Sequence, residues 1–113
     1  INISRDRVTD ENASVTILNK EHIILKEPNK ITEIDFNDWV QERGLYFASS
    51  WDERYEALFS MSDEGEPKKK GSLLVTHYGK GKFIFTGVSF FRQLPYGVPG
   101  AYRLFLNLIS YGQ

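Results

Sequence analysis

The chain has 113 residues, enough for one domain whose core buries roughly two-thirds of the surface that the unfolded chain exposes. Apolar residues make up 41% and charged residues 26%, which excludes a disordered or low-complexity chain. The net charge is −1 and cysteine is absent, so disulfides, thiolate metal sites and cysteine nucleophiles are excluded, and nucleic acid is not an expected partner.

No apolar run approaches the ~18 residues of a membrane span, so membrane insertion is not expected. The sequence opens on Ile1 with neither an initiator Met nor a signal peptide. That opening reads as a boundary inside a longer protein, so residues 1–113 are a single domain or the C-terminal part of a larger one.

Residues 1–13 are polar, with Arg5, Asp6, Arg7, Asp10, Glu11 and Asn12, and read as a lead-in loop. Residues 14–18 are β-branched and predict a strand. Residues 22–25 are a second short strand or a turn, ended by Pro28 and Asn29. Thr32 stands as a helix N-cap with Asp35 three residues on, and Glu33 suits the positive helix end. Phe36, Trp39 and Val40 then form one apolar stripe, with Arg43 in the last turn and Gly44 as C-cap. This spacing predicts a short amphipathic helix over 33–42.

A strand over 45–48 follows, broken by Ser49, Ser50, Trp51 and Asp52. Residues 55–61 predict another strand. Residues 62–70 hold acids, Gly65, Pro67 and the dense run Lys68, Lys69, Lys70, and read as a solvated loop. Two β-rich runs, 73–78 and 83–88, flank Gly79, Lys80 and Gly81 and predict a hairpin. Both faces of both runs carry apolar residues, which predicts a pair covered on each side. Pro99 opens a helix over 101–109. Its stripe is Tyr102, Phe105, Leu106 and Ile109, widened by Ala101, Leu104 and Leu108 into a helix buried over most of its girth.

Several sequence blocks are distinctive: Ser4-Arg5-Asp6-Arg7-Val8-Thr9, Asp38-Trp39-Val40-Gln41-Glu42-Arg43-Gly44-Leu45-Tyr46-Phe47, and Gly79-Lys80-Gly81. Two more are Thr86-Gly87-Val88-Ser89-Phe90-Phe91-Arg92-Gln93-Leu94-Pro95 and Gly97-Val98-Pro99-Gly100-Ala101-Tyr102-Arg103-Leu104-Phe105. Through them the chain resembles the C-terminal region of large bacterial proteins of the PIG-L (LmbE-like) deacetylase family, of the kind found in Bacteroidetes. The resemblance covers nearly the whole chain. It implies the second half of a class I glutamine-amidotransferase-like, flavodoxin-like tail behind an N-terminal zinc-dependent carbohydrate N-deacetylase domain. The compartment is left open by the sequence, a periplasmic or extracytoplasmic parent being one option. The family's His-Pro-Asp-Asp zinc motif has no match here, and the amidotransferase Cys has none either. No catalytic residue is therefore carried over, and neither a metal site nor a cofactor is expected in this chain.

The residues themselves point to little catalytic chemistry. His22 and His77 lie far apart in sequence and lack ligand spacing. Ser89 follows a strand, where a nucleophile elbow sits, but its glycine pattern is wrong and its base would have to be His77. Gly79, Lys80, Gly81 and Lys82 precede a strand, so they are a turn rather than a phosphate cradle. Trp39, Arg43, Tyr46, Trp51, Arg54 and Tyr55 combine rings with guanidinium groups, which stack on sugars or anchor interfaces. Trp51, Arg54 and Tyr55 are the candidates there, because Trp39 belongs to the helical stripe. Arg92 and Gln93 lie in the strand-to-helix connection, where α/β sheets place ligand crevices. Arg103, in the first turn of a buried helix, needs a partner.

The expected architecture is α/β: a small mixed sheet of about five strands, with one short helix and one buried C-terminal helix. The expected function is a non-catalytic accessory region whose partner is the remainder of the parent protein. A carbohydrate-binding module using exposed aromatics and a vestigial hydrolase using Ser89 and His77 are the alternatives. A half-domain leaves a bare sheet edge, which predicts a homo-oligomer.

Overall fold

The computed structural model describes residues 1–111, with Tyr78 described by its backbone alone. Strand β1 (Asn2–Val8) pairs with β3 (Gly44–Ser50), and β2 (Val15–Ile17) pairs with β5 (Phe59–Met61). Strands β4 (Glu56–Ala57), β6 (Leu73–Tyr78) and β7 (Gly81–Thr86) form a third sheet with β6 in the middle. A single turn of helix, α1 (Phe90–Gln93), and the longer α2 (Pro99–Ser110) close the chain. The α/β class is as expected, but the single mixed sheet is replaced by three small antiparallel sheets. Parallel neighbours need a crossover of a dozen or more residues, usually a helix. The short helix expected ahead of the 45–48 strand does not form.

That segment is residues 33–42. Its start behaves as read: the Thr32 N–H donates to Asp35 Oδ2 (2.9 Å), and a 3₁₀ turn spans Glu33–Phe36. Beyond it the backbone leaves the helical region, with φ of 66° at Asp38 and 65° at Gln41. Side chains from elsewhere replace the missing helical bonds. Trp39 Nε1 donates to the Asp35 carbonyl (2.8 Å), and Gln93 both accepts from the Val40 N–H and donates to the Val40 carbonyl, each at 2.8 Å. Phe36 and Trp39 still reach the core, and Gly44 begins β3 instead of capping a helix.

Other boundaries also move. Residues 22–25, left open between strand and turn, form a 3₁₀ turn at Ile23–Leu25, capped by His22 Nδ1 accepting from the Ile24 N–H. The run 55–61 splits at Leu58 into β4 and β5, which belong to different sheets. The hairpin forms with Gly79 at φ 59°. Of the two hairpin strands, β6 lies between β4 and β7, and its Leu73, Leu74 and Val75 are buried. Strand β7 is an edge and leaves Phe83 50% exposed, so the pair is not covered on each side. Helix α2 is turned the other way from its aromatic stripe. Its buried side is Gly100, Ala101, Leu104, Asn107 and Leu108, while Tyr102 and Leu106 are 45% and 47% exposed. Gly100 sets that orientation, since a β-carbon there would overlap the Asp35 carbonyl.

The core gathers residues from every sheet: Val8, Val15, Phe36, Trp39, Phe47, Phe59, Met61, Leu73 and Leu104 among them. Each such side chain contributes about 1.5–3 kcal/mol on burial. Phe36 meets Phe59 edge to face, with centroids 5.2 Å apart. Polar struts cross this core where loops leave backbone groups unmet. Asn107 donates to the Ile24 and Asn29 carbonyls (2.8 and 2.7 Å) and accepts from the Asn29 N–H (2.9 Å). Arg43 donates twice to the Ala13 carbonyl (3.0 and 2.8 Å) and once to the Phe36 carbonyl, below the Phe36 and Trp39 rings. Burial lowers its pKa to about 10, with Asp10 and Glu11 acting in the opposite sense.

Candidate functional site

The lead-in segment is where the structure departs furthest from expectation. Residues 2–8 are not a loop but β1, antiparallel to β3 with a shifting register. Ser4 causes part of that irregularity. Its hydroxyl donates to the Phe47 carbonyl (2.7 Å) and accepts from the Asp6 N–H (3.0 Å), standing in for ladder bonds. Arg5 and Arg7, two residues apart, therefore share one side of the strand and remain exposed.

The lysine run is carried to the same place. Lys69 pairs with Met61 through both backbone groups (3.0 and 2.8 Å). Asp63 anchors the start of the loop, accepting from the Thr9 N–H, the Thr9 hydroxyl and the Asp10 N–H at 2.8–3.0 Å. Burial pushes the Asp63 carboxyl up, but these three donors outweigh it and hold its pKa below the usual carboxylate value. The Ala48 N–H donates to the Gly71 carbonyl (3.1 Å) and closes the other end. The solvated loop is thus pinned at both ends, immediately beside β1.

Between them lies an open cleft of about 720 Å³, lined by Arg5, Asp6, Arg7, Ala48, Ser49, Trp51, Glu66, Pro67, Lys68, Lys69 and Lys70. Five basic side chains face two acidic ones, an excess of three positive charges in a chain whose net charge is −1. Lys69 pairs with Glu66 at 2.7 Å. Arg5, Arg7, Lys68 and Lys70 have no ion-pair partner among the described residues. A second depression, of about 300 Å³, adjoins it and is lined by Arg5, Arg7, Leu45 and Tyr46. Such a surface binds anions and lays flat groups against rings. Compared with protein-family models, curated proteins and solved structures, the chain matches none.

The six residues singled out from sequence are dispersed. Trp51 alone lines the cleft. Arg54 and Tyr55 line a smaller depression of about 190 Å³ with Thr76, His77 and Phe83. Arg54 holds Asp52 through two bonds (2.9 and 3.1 Å), and that contact draws the Asp52 carboxyl down to about 2. Arg92 meets the buried carboxylate of Glu42 (3.2 Å) and lies over the Phe91 ring. Gln93 is fully buried and works as a strut rather than a ligand group, donating also to the Glu42 carbonyl (3.1 Å). Arg103 finds the partner it needs in Asp35 (2.8 Å), and also donates to the Lys30 carbonyl (2.9 Å).

Ser89 and His77 are engaged elsewhere. The buried Ser89 hydroxyl donates to the Glu42 and Arg43 carbonyls (2.8 and 3.1 Å) and accepts from Gln93 (3.0 Å). His77 Nε2 meets the Tyr111 hydroxyl (3.0 Å). Among the described residues no group of three or more His, Asp or Glu side chains is arranged to hold a metal ion. Among the described residues no helix is long and apolar enough to cross a membrane. Sequence reading placed Arg5 and Arg7 in a loop, and it named Tyr46 in the aromatic cluster without choosing it as a candidate. The available signal was the Arg5-x-Arg7 alternation, which has the period of a strand.

Proposed function

We propose that this chain is a non-catalytic binding region of a larger LmbE-like carbohydrate N-deacetylase, and that the cleft around Trp51 is its binding surface. The observation that carries the reading is how the polar side chains divide. Those with catalytic or ligand chemistry near the last strand and helix (Ser89, Gln93 and Arg103) brace the backbone, whereas those around Trp51 face an open cleft. The deacetylase parent rests on the resemblance of the sequence blocks, as does a flavodoxin-like, amidotransferase-like ancestry for the fold. In this reading the rest of the parent protein docks beside the region and supplies the chemistry. The region's part is to hold a substrate chain near that chemistry.

Deletion tests this. Removing residues 1–113 from the longer protein should lower deacetylation of a polymeric N-acetylated glycan and leave a monomeric N-acetylhexosamine substrate unaffected. The isolated chain should release no acetate from either. Acetate release by the chain alone, or an equal effect of the deletion on both substrates, would overturn the reading.

A further inference from the structure

The cleft and the Tyr46 depression share Arg5 and Arg7, so together they form one track with a ring in each part, Trp51 in the first and Tyr46 in the second. Tyr46 is held at φ 56°, a left-handed conformation that an aromatic residue adopts only when its surroundings impose it. The residue is nonetheless 64% exposed, so core packing does not account for its conformation. Arg5, Arg7, Lys68 and Lys70 lack ion-pair partners among the described residues, and two carboxylates, Asp6 and the Glu66 that holds Lys69, are set among them.

This mixture selects among anionic ligands. A polyphosphate or single-stranded DNA backbone has no free hydroxyl to donate to Asp6 and Glu66, so its anions would meet those carboxylates with no compensating bond. A chain of sugar rings with acid groups meets each feature of the track. Ring faces lie on Trp51 and Tyr46, and carboxylate or sulfate groups take the arginine and lysine donors. Sugar hydroxyls donate to the two carboxylates. We infer that the track binds an acidic oligosaccharide, lying along β1 from Trp51 past Arg5 and Arg7 to Tyr46. This specifies the ligand of the binding region described above; it rests on the reading of the chain as a binding region and not on the identity of the parent enzyme.

The test is titration of the whole 113-residue chain by calorimetry with four probes of similar length. These are an oligogalacturonate, a heparin-derived oligosaccharide, a neutral cello-oligosaccharide and a single-stranded oligothymidylate. At least one acidic sugar should saturate the chain, and whichever of the two binds tighter identifies carboxylate or sulfate as the preferred group. Raising salt from ~50 to ~500 mM should weaken that binding about tenfold or more. The double variant Arg5→Glu/Arg7→Glu, and separately Lys68→Glu/Lys70→Glu, should each weaken it about tenfold or more. Trp51→Ala should do the same with unchanged salt dependence. All these positions are on the surface, and an unchanged circular dichroism spectrum and melting midpoint establish that each variant folds. Tightest binding of the oligothymidylate, equal binding of the neutral sugar, no saturable binding of either acidic sugar, or wild-type affinity in both charge-reversal variants would overturn the inference. Acidic-sugar binding without any effect of the deletion on deacetylation would overturn the enzyme-linked reading and leave this one standing.

Discussion

Arg43 and the pair Arg5 and Arg7 put the same guanidinium group to opposite uses. Arg43 is enclosed beneath Phe36 and Trp39, and its N–H groups meet the carbonyls of Ala13 and Phe36. Arg5 and Arg7 face an open cleft and meet no carboxylate among the described residues. The difference follows from the backbone around each. Residues 9–14 and 37–43 are irregular and leave carbonyls without ladder partners, so a long cation becomes a structural donor there. Strands β1 and β3 pair with each other, so the arginines on β1 retain their donors for something outside the chain.

The comparison can be broken in several places, the largest expected effect coming first. Arg43→Met should lower stability by about 3 kcal/mol, because two buried carbonyls lose their donors at ~1–3 kcal/mol each. Urea denaturation measures it, and a loss below about 1 kcal/mol would mean that water replaces the guanidinium without penalty. Gln93→Leu should cost about 2 kcal/mol, since the Val40 N–H and carbonyl lose their partner together. The same denaturation curve reads it.

His22 sharpens the contrast through pH. Burial lowers its pKa from 6.5, opposed by Glu56 and aided by His77 and Lys82, and its neutral Nδ1 caps the turn at Ile24. The unfolded chain therefore binds the His22 proton more readily than the folded one. Stability is full above pH 6.5 and declines as pH falls through 6.5 toward the lower folded value. His22→Asn keeps a capping acceptor but cannot take up a proton, so it should flatten the stability slope between pH 7.5 and 5.5. An unchanged slope would assign the pH dependence to other groups.

The smallest effects belong to the exposed charges. Asp52→Asn breaks the Arg54 contact at the surface and should leave the melting midpoint where it was. Arg5→Ala and Arg7→Ala should also leave it unchanged. A clear loss in either arginine variant would show that the cleft cations support the fold, and would remove the contrast with Arg43.

Much of the architecture was legible where patterning is local. The hairpin of β6 and β7 announced itself through two β-rich runs around Gly79, and Phe36 and Trp39 were read as core. Helix α2 was legible as a helix and misread in its facing. Apolarity favoured the Tyr102 and Leu106 side, whereas small residues and a bonded Asn107 let the other side approach the core. The helix over 33–42 had its cap and stripe, but Gln93 and Arg43 offer the same backbone groups better bonds from outside. The cleft was the least legible part. Its lysines and arginines are about sixty residues apart, and tertiary contacts bring them together: the pairing of β1 with β3, the bonds from Thr9 and Asp10 to Asp63, and the backbone bonds of Lys69 and Gly71.

That same pairing has a consequence during synthesis. Strand β1 leaves the ribosome ahead of its partner β3, which follows only after about forty more residues have been made, so the two cannot pair as β1 emerges. Until then Ile3 rides on a strand with both edges bare, and the search for β3 bears the entropy of closing that long loop. The β6–β7 hairpin, whose halves are neighbours in sequence, needs no such search and closes as it emerges. The two walls of the cleft, β1 and the Lys68 to Lys70 run, meet only after the residues between them have all been made.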